Sequence, residues 1–392
     1  PDFKLYDPLA SRDVTVRDIL CHRVGFKTFQ GDFLNWNCNL SRTALIVNLR
    51  NLQPAYGFRE RWGYFNMGFV SAGEVIHAAT DTTWEDYVTA RLLKPLQMNR
   101  TTPRYETFAA DNNKTACYTL YNDSLQKIPY ANVDNLGPCA SISSSVNDLS
   151  HWLIMQLDSG RYNNKTVVPY NVLRETRRAQ ALVGEHGDGP TKFVTYGLGW
   201  FVEDYNGKKI MDHSGGTNGF VTQTLLCPEE KLGVVVLTNT DANGLYSALA
   251  YQVLESYLNM SYRNVSSEDY AGWLEGYNAD KATVKNMRDT VAQRNKTTLP
   301  LEAYTGSYHN DFYGDVQIKN ESNNLNVYFS HHPGVIGRLQ PLGSNNFLCS
   351  YTDKTWGIQR IPFTIDKGSV KSVTIKVNDF IDYMPYEFAK VK

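Results

Sequence analysis

The chain lacks any apolar run near the ~18 residues that a membrane-spanning helix needs. It also lacks an excess of either charge. Its 39 Lys and Arg stand against 40 Asp and Glu, for a net charge of −1. That balance leaves no electrostatic footprint for nucleic acid or an anionic membrane, so neither is expected as a partner. There is no C-x-x-C, no internal repeat and no low-complexity tract. Nothing in the pattern calls for a metal or a cofactor, and none is expected. No secretory leader stands at Pro1.

What is present suits a folded chain of more than one domain. The 392 residues are 42% hydrophobic and 20% charged, so core material is ample. Six cysteines, Cys21, Cys38, Cys117, Cys139, Cys227 and Cys349, are an even number and disulfide candidates. The other reading is buried thiols. Sequons for Asn-linked sugar begin at Asn39, Asn99, Asn113, Asn122, Asn164, Asn259, Asn264, Asn295 and Asn320. Composition alone predicts roughly four or five. The surplus points to N-linked glycans and a secreted, extracellular protein.

Residues 1–262 read as alternating helices and strands. Thr15 to Asp18 is a capping box ahead of Ile19 and Leu20. Helices are expected over Ser41–Leu49, Asn66–Thr80, Trp84–Leu93, Ser145–Met155, Val168–Gln180 and Leu245–Leu258. Between the last two, Tyr196–Glu203, Lys209–His213, Phe220–Cys227 and Leu232–Thr238 read as consecutive antiparallel strands. Residues 263–298 read as a polar surface linker with some helix over Val284–Gln293. Residues 299–392 show seven strand signals at about ten-residue spacing, which predicts a small antiparallel β-barrel or sandwich.

Three places carry chemistry. In Trp62-Gly63-Tyr64-Phe65-Asn66-Met67-Gly68, Tyr64 and Asn66, two apart before a small-residue helix, can face one cleft. A tyrosine can move a proton and an Asn can orient an amide. Asp212-His213-Ser214-Gly215-Gly216 places polar groups and glycines where one strand turns into the next, and free N–H groups there can form an oxyanion hole. Leu136 to Ser145 caps the helix that follows. Read singly, each also fits a plain structural role.

Together these segments resemble one family. Val14-Thr-Val-Arg-Asp-Ile-Leu-Cys-His22-Arg-Val-Gly25 is similar to its T-V-R-D-L-L-x-H-x-S-G segment, and Tyr64-Phe65-Asn66 to its Y-x-N. Leu93 to Thr101, Ser145 to Leu149, Tyr196 to Trp200, His213 to Gly216 and Gly233 to Asn239 follow in its order. The chain resembles the class C β-lactamase and penicillin-binding-protein-like serine hydrolases, including the secreted animal β-lactamase-related proteins. The resemblance implies an α+β fold, an antiparallel sheet flanked by helices with a helical region. The tail from Leu299 looks like an appended lipocalin-like β-barrel.

It further implies roles. Tyr64 is the proton carrier, Asn66 holds the substrate carbonyl, His213 occupies the third motif and the Gly216 N–H is an oxyanion donor. The family's nucleophile is the Ser of an S-x-x-K. That motif belongs ahead of Val14 and is not in this chain. Ser124-Leu-Gln-Lys127 follows Y-x-N instead of preceding it and is rejected. The nucleophile is therefore expected from an N-terminal fragment of the same precursor or from upstream residues. Without them residues 1–392 are not expected to fold as an active hydrolase. His213 stands where the commonest lactamase form has Lys, which tilts the substrate toward a peptide or ester. The competing readings are a catalytically inactive extracellular glycoprotein and a lectin-like module on residues 299–392.

Overall fold

The computed structural model describes residues 3–186 and 189–391. They form two compact units. One comprises residues 8–27 and 54–271, and the other residues 3–7, 28–53 and 272–391. The boundary falls inside one helix, Val265–Ala292, so the expected polar linker is mostly a 28-residue helix. The sequence reading kept residues 28–53 with the first unit, whereas the structure packs them with the tail.

The first unit is built on a six-stranded antiparallel sheet. Two hairpins precede it, β1 (Cys117–Tyr121) with β2 (Ser124–Ile128), and β3 (Arg161–Tyr162) with β4 (Lys165–Thr166). The sheet strands are β5 (Ala181–Glu185), β6 (Thr191–Tyr196), β7 (Phe201–Tyr205), β8 (Lys208–Thr217), β9 (Phe220–Cys227) and β10 (Leu232–Thr238), and each pairs with the next. Alternation along the strands sorts the core. Ile210 and Leu225 pack with Leu254 of the helix Leu245–Tyr257. Their chain neighbours Met211 and Leu226 pack with Leu153 of the helix Val146–Leu157, so the two helices cover opposite faces.

Tyr196–Glu203 was expected as one strand and is two. The break is at Gly197–Trp200, where Gly199 has φ +95 and a Cβ on Gly197 would lie 2.3 Å from the Thr176 carbonyl oxygen. The helix Asn66–Thr80 falls on its expected residues. Its glycine at 68 lets it close on the helix Val16–Leu20, because a Cβ there would sit 2.5 Å from the Ile19 oxygen.

The tail forms a closed eight-stranded antiparallel barrel: β11 (Gly306–Asn310), β12 (Gly314–Glu321), β13 (Asn324–Phe329), β14 (Ile336–Gly343), β15 (Asn346–Tyr351), β16 (Ile358–Asp366), β17 (Ser369–Ile375) and β18 (Tyr386–Lys390). The seven strand signals missed β14, whose Gly337 and Pro341 disguise it and whose pairing with β15 shifts register between Pro341 and Gly343.

The disulfide expectation is corrected. None of Cys21, Cys38, Cys117, Cys139, Cys227 and Cys349 is in a disulfide. Cys21, Cys117, Cys227 and Cys349 are buried and behave as small apolar side chains, with burial pushing each thiol pKa up. Cys117 and Cys139 direct their thiols at the nearby carbonyl oxygens of Ile128 and Leu136.

Candidate active site

The Tyr64 loop is set by its glycine. A Cβ on Gly63 would lie 1.9 Å from the Phe26 carbonyl oxygen, so only glycine lets Trp62-Gly63-Tyr64-Phe65 lie against that backbone. His22, fully buried at the end of the Val16–Leu20 helix, holds the loop on both sides of Tyr64. Its carbonyl accepts the Gly63 N–H at 3.1 Å, and its Nδ1 accepts the Phe65 N–H at 3.0 Å. Tyr64 is half-buried, and Asn66 is buried as the first residue of the following helix.

His213 arrives from β8. Its ring centroid is 5.8 Å from that of Tyr64, 6.0 Å from Tyr196 on β6 and 5.5 Å from Phe201 on β7. Its hydrogen bonds assign its protons. Nδ1 lies 2.5 Å from the Ser214 carbonyl oxygen, which can only accept, so Nδ1 carries the hydrogen. Nε2 lies 3.0 Å from the Tyr196 hydroxyl, so the hydroxyl donates to it. Burial lowers the His213 pKa and raises that of Tyr196 well above its usual value, which keeps both neutral. Burial, reinforced by His213, likewise holds His22 well below the usual histidine range. The floor of the site is thus aromatic, uncharged at those three groups, and spends both His213 nitrogens internally.

Among the expected site residues, the structure brings Tyr64 and His213 together and sets Asn66 two residues from Tyr64. Gly216 is exposed three residues beyond His213 on β8, about 10 Å along the strand. Asp212 turns away. It shares the face of Ile210, where its Oδ2 accepts from Gln223 at 2.5 Å and its Oδ1 has no partner. Burial, then Glu203, pushes its pKa up to about 7. Ser124 and Lys127 lie exposed on strand β2, where an odd spacing sends two side chains to opposite faces, so they cannot share a proton. His22, Tyr196 and Trp62 were missed as site residues, although all three lie in motifs already singled out. No cluster suited to a metal exists among the described residues. The barrel unit holds a cavity of about 330 Å³ beside the helix Arg42–Asn48.

Residues 3–258, well over half of the chain, match the sequence model of the Beta-lactamase family. The chain belongs to that family. Residues 291–390 match a domain of unknown function, DUF3471. An unguisins hydrolase of Aspergillus campestris is 27% identical over 81% of this chain and 60% of its own length. Protein flp of Staphylococcus aureus is 26% identical over 62% of this chain and 46% of its own. The chain therefore spans less than two thirds of these relatives. Among solved structures, an octameric penicillin-binding protein homologue from Pyrococcus abyssi shares the fold across all of this chain and 80% of its own, with a TM-score of 0.59 and 17% identity. A D-amino acid amidase from Ochrobactrum anthropi does so over 64% of this chain and 75% of its own, with a TM-score of 0.51 and 17% identity.

Proposed function

We propose that this β-lactamase-family chain is the larger part of a secreted hydrolase that transfers acyl groups from uncharged peptides or esters. The convergence of Tyr64 and His213, 5.8 Å apart from distant parts of the chain, carries this reading. The Ser and Lys of S-x-x-K come from residues outside the chain. Tyr64 passes the proton between that Ser and the leaving group, Asn66 holds the substrate carbonyl, and the Gly216 N–H supports the oxyanion. His213 presents neither a charge nor a spare N–H, so a free carboxylate finds no cation there. That supports an uncharged substrate, while the name of the Aspergillus relative, a hydrolase, supports hydrolysis.

An open sheet edge supports an added partner segment. Among the described residues strand β10 pairs only with β9, and Gly233 to Thr238 are half-buried although mostly apolar. Mixing the chain with the segment that precedes it in its precursor should give a 1:1 complex on gel filtration, and two separate peaks would count against the partner. Secretion and N-linked glycans rest on the sequons. Asn39, Asn99, Asn113, Asn122, Asn164, Asn259, Asn264 and Asn295 are exposed. Asn320 is half-buried with its Nδ2 on Glu302, and it is the poorest acceptor.

The test is hydrolysis of a C-terminally blocked peptide anilide by the form that carries S-x-x-K. Tyr64→Phe should cut kcat by roughly 100-fold or more with the fold intact. His213→Lys should shift preference toward a matched carboxylate-bearing substrate by about 10-fold, the worth of one charged hydrogen bond. No hydrolysis of any blocked amide or ester would favour the inactive glycoprotein instead.

A further inference from the structure

We propose that His22 is the positioning residue for Tyr64 and Asn66, acting through the main chain of the loop between them. The inference rests on the acyl-transfer reading for its catalytic consequence only.

His22 is an expensive choice for a core position. It is fully buried, its Nε2 has no hydrogen-bond partner, and its backbone is left-handed with φ +59. A non-glycine residue pays for that conformation, and a buried polar atom without a partner is destabilising. A leucine would fill the space among the rings without the second cost. What leucine lacks is an acceptor for the Phe65 N–H. That bond, at 3.0 Å, and the His22 carbonyl on Gly63, at 3.1 Å, grip the loop one residue before and one residue after Tyr64. Phe65 is also the residue that precedes the Asn66–Thr80 helix, and no side chain caps that helix end. His22 thus sets the direction of Tyr64 through its carbonyl and its ring, and the ring alone fixes the start of the helix that carries Asn66.

The ring itself completes the arrangement. Its centroid lies 4.4 Å from that of Tyr64 and 4.7 Å from that of Tyr196, the residue that donates to His213. Because a backbone N–H only donates, Nδ1 must stay bare and the neutral ring carries its hydrogen on Nε2. Protonating Nδ1 would break the bond to Phe65. The titratable groups facing the ring are Tyr64, Tyr196 and His213, with Cys21 and Arg23 beside it in the chain. The low pKa of the buried ring agrees with this geometry.

Two polar replacements separate positioning from packing. Asn places an acceptor near the Nδ1 position, while Gln places its amide near Nε2. In the form bearing S-x-x-K, His22→Gln should lower kcat by about 100-fold with KM changed less than about 3-fold, as for a group displaced by an ångström. It should also move the alkaline limb of the kcat–pH profile. His22→Asn should recover to within about 10-fold of wild type. In the chain itself, the Phe65 amide should exchange with deuterium at least about 10-fold faster in His22→Gln than in His22→Asn. Equal kcat in both variants, with the alkaline limb unmoved and Phe65 exchange alike, overturns the proposal. A wild type without activity defeats the acyl-transfer reading alone, because Phe65 exchange still decides whether His22 holds the loop. If His22→Gln does not fold, wild-type kinetics and Phe65 protection in His22→Asn sustain the proposal, and their loss in that folded variant overturns it.

Discussion

Asp212 keeps a proton that a surface aspartate would lose. Burial, then Glu203, raises its pKa from 3.8 to about 7. Between those values the folded state binds more proton than the unfolded one, so stability falls as pH rises through that window. His332 acts with the opposite sign. Burial lowers its pKa from 6.5 to about 4, so stability is lost as pH falls between those values. Asp212→Asn removes the first effect. The variant should gain on wild type by roughly 1 kcal/mol per pH unit from near pH 4 to near pH 7, and then level off. Urea midpoints across that range measure it, and a gap independent of pH would mean that Asp212 is ionised in the fold. At this scale sequence reasoning could name His213 but not its state. That state follows from the Ser214 oxygen and the Tyr196 hydroxyl, which only the folded sheet brings to it.

Elements whose signals are local were legible. Thr15 and Asp18 form the expected capping box, and the Ser145 side chain accepts the Asp148 N–H at another expected helix start. Ser145→Ala should cost about 1 kcal/mol, read by thermal denaturation. Hairpin turns were also written in the chain. Asn122-Asp123, Asn206-Gly207 and Ser322-Asn323 each supply two residues at positive φ between paired strands, the geometry a tight hairpin requires. The first was passed over because the strands it joins, β1 and β2, are short and half-exposed. Gly63 was read only as part of a motif, since the Phe26 carbonyl that forbids a side chain there is 37 positions away. Gly63→Ala should therefore destabilise the first unit, by more than the roughly 0.4–1 kcal/mol that a compatible exchange would gain. Chemical denaturation decides it, and an unchanged midpoint would show that the loop can yield.

In the molecule as a whole, the barrel unit holds a surprise for any linear reading. Residues 28–53 interrupt the first unit's sequence and pack with a domain that begins more than two hundred residues later. Asp382 anchors them. Its Oδ2 accepts the N–H groups of Gly31 and Phe33, each at 3.1 Å, and the Tyr386 hydroxyl at 2.7 Å. Phe33 is 1% exposed, stacks on Tyr313 at 4.6 Å and meets the edge of Trp356 at 5.4 Å. Phe33→Ala should cost about 3–5 kcal/mol in this unit. Loss of near-ultraviolet aromatic ellipticity at lower denaturant would report it, and a wild-type midpoint would show that residues 28–53 are not integral to the barrel.

The sequence alone was enough for what depends on period, spacing and local chemistry: the antiparallel strands, the capped helices, the β-rich tail and the order of motifs that marks the family. Each is a property of neighbours along the chain, where propensity and turn geometry act. Tertiary structure alone decided which groups share an environment. It turned Asp212 and His213, adjacent in sequence, to opposite faces of the sheet. It buried His22 against the Tyr64 loop, left all six cysteines outside disulfides and gave residues 28–53 to the barrel. Those outcomes depend on desolvation and on contacts between distant segments, and both arise only when the chain closes on itself.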